Sequence, residues 1–175
     1  MEGRLMRIGL LSDTHDRIDA VAALAARFVE GGVSMVLHCG DYCAPFSLAP
    51  IQAHHLALVG VFGRNDGDPE ALRAVAMSGM GSELFEAPHS FELLGRRILL
   101  VHDLGDALER SIEAHDIVVH GLTHREETKT RGRTLLVNPG EACGWLHGAP
   151  TAAILDLDTR AVEVLKLTGP EWTRR

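Results

Sequence analysis

Two rhythms of apolar residues alternate along this chain. Arg7-Ile8-Gly9-Leu10-Leu11-Ser12 is a short apolar run closing on polar residues, the pattern of a buried strand. Beyond Asp16, residues Ile18, Val21, Ala22, Ala25, Phe28 and Val29 return at helical spacing until Gly31-Gly32 supplies a stop. Val33-Ser34-Met35-Val36-Leu37-His38 resumes strand character, and a strand-helix-strand unit of this kind favours parallel pairing. The proline-bounded stretch Pro45 to Ala53 predicts a short helix, and His55 to Phe62 a third strand ending at Gly63. Asp68-Pro69-Glu70 opens another helix, with proline suited to the first turn.

The second half has a different grain. Ser90 to Leu94 and Arg97 to Val101 are apolar runs joined around Gly95, which predicts an antiparallel hairpin. Leu104 to Ala114 reads as a helix, and Ile117 to His120 and Thr134 to Val137 as strands. Ala152 to Leu157 and Ala161 to Leu167 form a last hairpin around Asp158-Thr159-Arg160. No repeat, low-complexity stretch or linker breaks the series. The fold class expected is α/β, two packed mixed β-sheets flanked by helices, in a single domain over residues 1–175.

Composition narrows the function. The 175 residues are 46% apolar and 23% charged, ordinary for a globular domain with one core. A net charge of -7 argues against a nucleic-acid groove, which needs a basic face. It leaves room for a phosphate-bearing ligand, because a bound cation supplies local positive charge. No apolar stretch is long enough to span a bilayer, and MEGRLMRIGLLSD carries no secretory signal, so the expected location is cytoplasmic. Cys39, Cys43 and Cys143 fit no disulfide framework; Cys39 and Cys43 read as small buried residues before soft metal ligands. The ten histidines are the unusual feature.

Polar residues cluster where the strands end. These clusters are Asp13-Thr14-His15-Asp16, His38-Cys39-Gly40-Asp41, Gly63-Arg64-Asn65-Asp66, His102-Asp103 and His120 to His124. In open α/β sheets the carboxyl ends of strands are where ligands gather. Singly each residue has a plain reading: Asp13 as a helix cap, Asp41 as the holder of a turn, His102 and His124 as surface or hydrogen-bonded histidines. Together, two aspartates and three histidines from separate strands make a mixed oxygen–nitrogen donor set of the kind that Mn²⁺, Fe²⁺ or Zn²⁺ takes.

The series SDTHD, HCGD, FGRND, VHD, HGLTH and NPGEACG, in that order, resembles the calcineurin-like metallophosphoesterases, most of all their small single-domain phosphodiesterase branch. The resemblance runs from about Arg7 to Leu167. It implies a sandwich of two mixed sheets with a pair of metal ions at the strand ends, where metal-activated water attacks phosphorus in line. By position it makes Asp13 and His15 ligands of the first ion, Asp41 the bridging carboxylate and His124 the residue that completes the first site. His102 corresponds to a ligand of the second ion.

Two departures fall on that second ion, and a third lies beside its histidine. Arg64 stands where the family has a ligand Asn, and Leu122 where Gly-His-Thr-His has its first histidine. Asp103 stands where the branch has a small residue. His120 precedes the motif glycine and reads as a hydrogen-bonded strand-end histidine. Asn65 replaces the lost Asn only if the loop slips by a residue, which would redirect its side chain. The expectation is one tightly bound divalent transition metal (Mn, Fe, Zn or Ni) on Asp13, His15, Asp41 and His124, with a second position reduced to Asp41 and His102. Arg64 and Asn65 are the candidates for catalysis, and with Asp103 for gripping a small phosphate-ester substrate. A homo-oligomer is left open. The rival reading is a non-catalytic binding module, comparable to the retromer subunit of the same superfamily; a nucleotide-binding regulator without hydrolysis is a third.

Overall fold

A computed structural model describes residues 6–79 and 81–172. The reading of the N-terminus as lacking a secretory signal rests partly on residues 1–5, which lie outside the described residues. The first half runs β1 (Arg7–Leu11), α1 (Ile18–Glu30), β2 (Met35–His38), α2 (Ala49–Ala53), β3 (Ala57–Val61), α3 (Pro69–Met77) and β4 (Glu83–Phe85). The second half runs β5 (His89–Leu93), β6 (Arg96–Leu100), α4 (Glu109–Ala114), β7 (Ile117–Val119), β8 (Glu126–Arg131), β9 (Thr134–Pro139), β10 (Thr151–Asp156) and β11 (Val162–Lys166). The strands form a six-stranded sheet, β11-β10-β1-β2-β3-β4, and a five-stranded sheet, β5-β6-β7-β9-β8.

Both sheets are mixed, as the sequence predicts. In the larger, β1 to β4 run parallel while β10 is antiparallel to β1 and β11 to β10. In the smaller, β6, β7 and β9 are parallel and the edges β5 and β8 are antiparallel. Alternation along the central strands sends side chains to both faces. Ile8 and Leu10 of β1 join Leu37, Ile98, Leu100, Ile117, Val119 and Val137 between the sheets. Leu11, Val36 and Leu58 face Val21, Leu24, Phe28 and Leu72 under the helices. Leu99, Val118 and Leu136 meet Ile112 on the far face of the smaller sheet. Each such buried side chain contributes about 1.5–3 kcal/mol.

The sequence reading departs from the structure in three places. The helix predicted over Leu104 to Ala114 is broken into a 3-10 turn, Leu104–Asp106, and α4. Ala107 and Leu108 between them are extended, with ψ of 131° and 141°. The Asp103 carboxylate caps the turn by accepting from the Gly105 amide at 2.8 Å, which favours a closed short turn over a continuous helix. Strands β4 and β8 carry no apolar period: β4 buries Leu84 alone, and all six residues of β8 are exposed. Among the described residues no helix is long and apolar enough to cross a membrane.

Candidate metal centre

The parallel strands deliver their carboxyl ends to one place. Backbone bonds then stitch the loops together: Asp13 N–H to Gly40 O at 3.0 Å, His15 N–H to Asp41 O at 3.0 Å, Gly121 N–H to His102 O at 3.0 Å and Cys143 N–H to Asp13 O at 3.1 Å. The turns are sharp. Asp13, His15, Asp41, Leu122 and His124 all adopt positive φ, between 39° and 66°. Such backbone costs about 1–2 kcal/mol per non-glycine residue and clusters at functional sites. Two glycines allow the close approach: a Cβ on Gly63 would lie 2.2 Å from Asp41 Oδ1, and one on Gly121 1.9 Å from Ser12 Oγ.

Three of the residues singled out in the sequence, Asp13, His15 and His124, gather on one side of Asp41. His15 Nε2 lies 3.5 Å from Asp41 Oδ2 and 3.9 Å from Asp13 Oδ1, and His124 Nε2 lies 3.3 Å from Asp13 Oδ1. His124 Nδ1 donates to Glu141 Oε2 at 2.8 Å. A carboxylate only accepts, so this bond leaves the Nε2 lone pair facing Asp13. Burial pushes the Asp13 carboxyl above the usual carboxylate range.

The other side of Asp41 is differently furnished. His102 Nδ1 donates to Cys39 O at 2.7 Å, which turns its Nε2 lone pair to Asp41 Oδ1, 3.6 Å away. Asp41 thus shows one oxygen to each side. Asn65 holds both: its amide N–H donates to Oδ1 at 2.9 Å and its side-chain Nδ2 to Oδ2 at 2.7 Å. Burial pushes Asp41 up, but the two Asn65 bonds, His102 and His15 outweigh it, and the carboxyl titrates below its ordinary range. Arg64 extends from the same loop and pairs with Asp103 Oδ2. Leu122 is half-buried, and its φ of 66° matches the 60° of His124. His120 is buried under the strand end with its Nδ1 3.5 Å from Asn138 Nδ2, and burial lowers its pKa.

Three supporting residues went unassigned in the sequence. Asp66 accepts from the amides of Asp41, Tyr42, Cys43 and Gly63 at 2.6–3.2 Å, clasping the Asp41 turn. Glu141 backs His124 and takes the Leu146 and His147 amides; the bonds from His124 and those amides overcome burial and keep it below the usual range. His38 is fully buried, accepts from Gly40 N at 3.1 Å and meets Thr14 Oγ1 at 3.2 Å; burial, with His102 adding, lowers its pKa to about 3. The available signal was weak: each is one polar residue within a strand-end motif that offers several.

A divalent cation fits the first side. On that side both carboxylate oxygens of Asp13 and the Nε2 atom of His15 are buried without a hydrogen-bond partner, as is His102 Nε2 on the other, a costly state for polar groups. Among the described residues, His, Cys, Asp or Glu donors gather in threes as Asp13–His15–Asp41 and as His15–His124–Cys143, and neither group contains His102. The Cys43 and Cys143 thiols are pushed up by burial to about 11 and about 12, which keeps them protonated at neutral pH.

Known proteins share this arrangement of strands. A curated phosphodiesterase of Methanocaldococcus jannaschii is 29% identical over 158 residues, spanning 89% of this chain and 95% of that protein. The solved structure of an archaeal phosphodiesterase superposes with a TM-score of 0.86 at 28% identity, over 93% of this chain and all of that one. Two others share the fold at 17% identity and TM-scores of 0.66: the Escherichia coli phosphoesterase YfcE and a Vps29 variant from Entamoeba histolytica, each over 93% of this chain and 100% of its own. The family model of the calcineurin-like phosphoesterase superfamily domain matches residues 6–160, so with its two mixed sheets and its donors at the strand ends this chain belongs to that superfamily.

Proposed function

We propose that this protein hydrolyses a small phosphodiester with one tightly held divalent transition-metal ion. Asp13, His15, Asp41 and His124 would hold the ion. The observation that carries the reading is the asymmetry around Asp41: both Asp13 oxygens and His15 Nε2 are buried without a hydrogen-bond partner on its first side, against His102 Nε2 on the second. Such an ion supplies Lewis-acid neutralisation of the phosphoryl oxygens and lowers the pKa of water. The chain's own groups do the rest. Glu141 fixes the His124 tautomer, Asn65 holds both Asp41 oxygens in place, and Arg64 offers guanidinium N–H groups to phosphoryl oxygens. His102 and Asp41 make a second position too poor in donors for tight binding.

A second reading, a non-catalytic scaffold on the same fold, draws on the same loss of donors at Arg64 and Leu122. Metal analysis of the purified protein, paired with turnover of bis(p-nitrophenyl) phosphate under added Mn²⁺, separates the two. The expected outcome is about one ion per chain, with diester turnover that Asp41→Ala abolishes along with metal binding. Two fully occupied ions bridged by Asp41 would refute the one-ion site. Metal without turnover would favour the scaffold.

A further inference from the structure

Arg64 and Asp103 are separate departures in the sequence, 39 residues apart, but one device in the structure. Asp103 is anchored through both oxygens: Oδ1 accepts from the Gly105 amide at 2.8 Å, and Oδ2 takes the Arg64 guanidinium. Arg64 is tethered through one nitrogen, and among the described residues its other N–H groups make no hydrogen bond to protein. Its side chain is 59% exposed and that of Asp103 24%, so the pair faces solvent at the mouth of the loops that carry Asn65 and His102. Both ends adjoin groups that touch Asp41, since Asn65 follows Arg64 and His102 precedes Asp103.

Charge decides what such a mouth admits. Asp13, Asp41 and Asp103 bring three negative charges and Arg64 one positive. The charge of Glu141 is taken up behind His124 by that ring and two amides, and that of Asp66 by the four amides it clasps. A single divalent ion therefore brings the pocket only to neutrality, and Arg64 is half-claimed before a ligand arrives. We propose that Asp103 is a specificity-determining residue: by claiming Arg64 and adding its own charge, it biases the pocket toward singly charged phosphodiesters and against doubly charged phosphomonoesters. The inference takes its ligand class from the phosphodiesterase reading. Its test reads binding, so the two fail separately. A carboxylate within several ångströms of a ligand's extra charge, discounted for solvent and salt, is worth about a tenfold change in affinity.

The test uses the full chain loaded with Mn²⁺ and calorimetric titration with dimethyl phosphate, which carries one charge, and methyl phosphate, which carries two well above its second pKa of about 6. Wild type should hold methyl phosphate no more tightly than dimethyl phosphate. Asp103→Asn keeps one acceptor oxygen, enough for the Gly105 amide, while removing the charge and releasing Arg64. It should tighten methyl phosphate about tenfold and dimethyl phosphate no more than about threefold. Arg64→Gln should weaken both. An unchanged ratio of the two constants in Asp103→Asn overturns the inference, as does a wild type that strongly prefers the doubly charged ligand. Binding of neither ligand overturns it together with the phosphate site. Selective binding without any diester turnover leaves it standing and removes only the hydrolytic reading.

Discussion

The two sides of Asp41 are made from the same kind of strand end and reach different chemistry. On the first side every imidazole is aimed. His124 is set by Glu141 at 2.8 Å, and His15 faces both aspartates. On the second side His102 is aimed as well, by the Cys39 carbonyl at 2.7 Å, yet it meets no third donor. Leu122, in the same loop as His124, shares its left-handed turn while presenting only carbon. Fold and donor set are thus separable. A strand end specifies where a side chain points, and the residue placed there specifies whether an ion has reason to stop.

That comparison can be broken from the first side. Glu141→Gln keeps an oxygen for the Leu146 and His147 amides but turns an NH₂ toward His124 and favours the wrong tautomer. Metal affinity should fall about ten- to a hundredfold, read as the dissociation constant for Mn²⁺. Unchanged affinity would mean that His124 is no ligand.

It can be sharpened from the second side. Arg64→Asn with Leu122→His returns an oxygen and an imidazole to loops already in the required conformation, and frees Asp103. A second ion should bind and diester hydrolysis rise about tenfold or more. Leu122→His alone should do less, because Arg64 would still repel the incoming cation. A second ion with a flat rate would move the balance to the scaffold reading. The smallest effect belongs to His120→Ala, which should leave metal content whole and diester turnover within about twofold. A loss of metal equal to that of Asp41→Ala would mark His120 as a recruited ligand.

The fold was legible where burial imposes a period. Ile8, Leu10 and Leu37 pack on one face and Leu11 and Val36 on the other because both sides of their sheet are covered, and the parallel units followed from them. Strand β8 was invisible because Glu126 to Arg131 lie at an edge in water, where nothing demands an apolar residue. The pocket was legible in its motif residues, and the structure brings Asp13, His15, Asp41 and His124 together. What lay beyond reach were pairings across distance. Nothing near Arg64 in the sequence names Asp103, and Glu141 was visible inside NPGEACG without any sign that His124, 17 residues earlier, would lean on it.

The position of β1 inside its sheet has a consequence for how the protein is made. β1 carries Asp13 and His15 at its end and lies between β2 and β10, with Leu10 opposite Ala153. The loop that follows β1 is held by Ala142 and Cys143, whose amides bond Ser12 O and Asp13 O at 2.9 and 3.1 Å. A ribosome therefore releases Asp13 and His15 more than a hundred residues before His124 and Glu141. Until then β1 offers one bare edge, and Asp13 and His15 lack both His124 and the Glu141 that steers it. The proposed donor set, with its support, is therefore complete only once the chain has been made as far as Glu141.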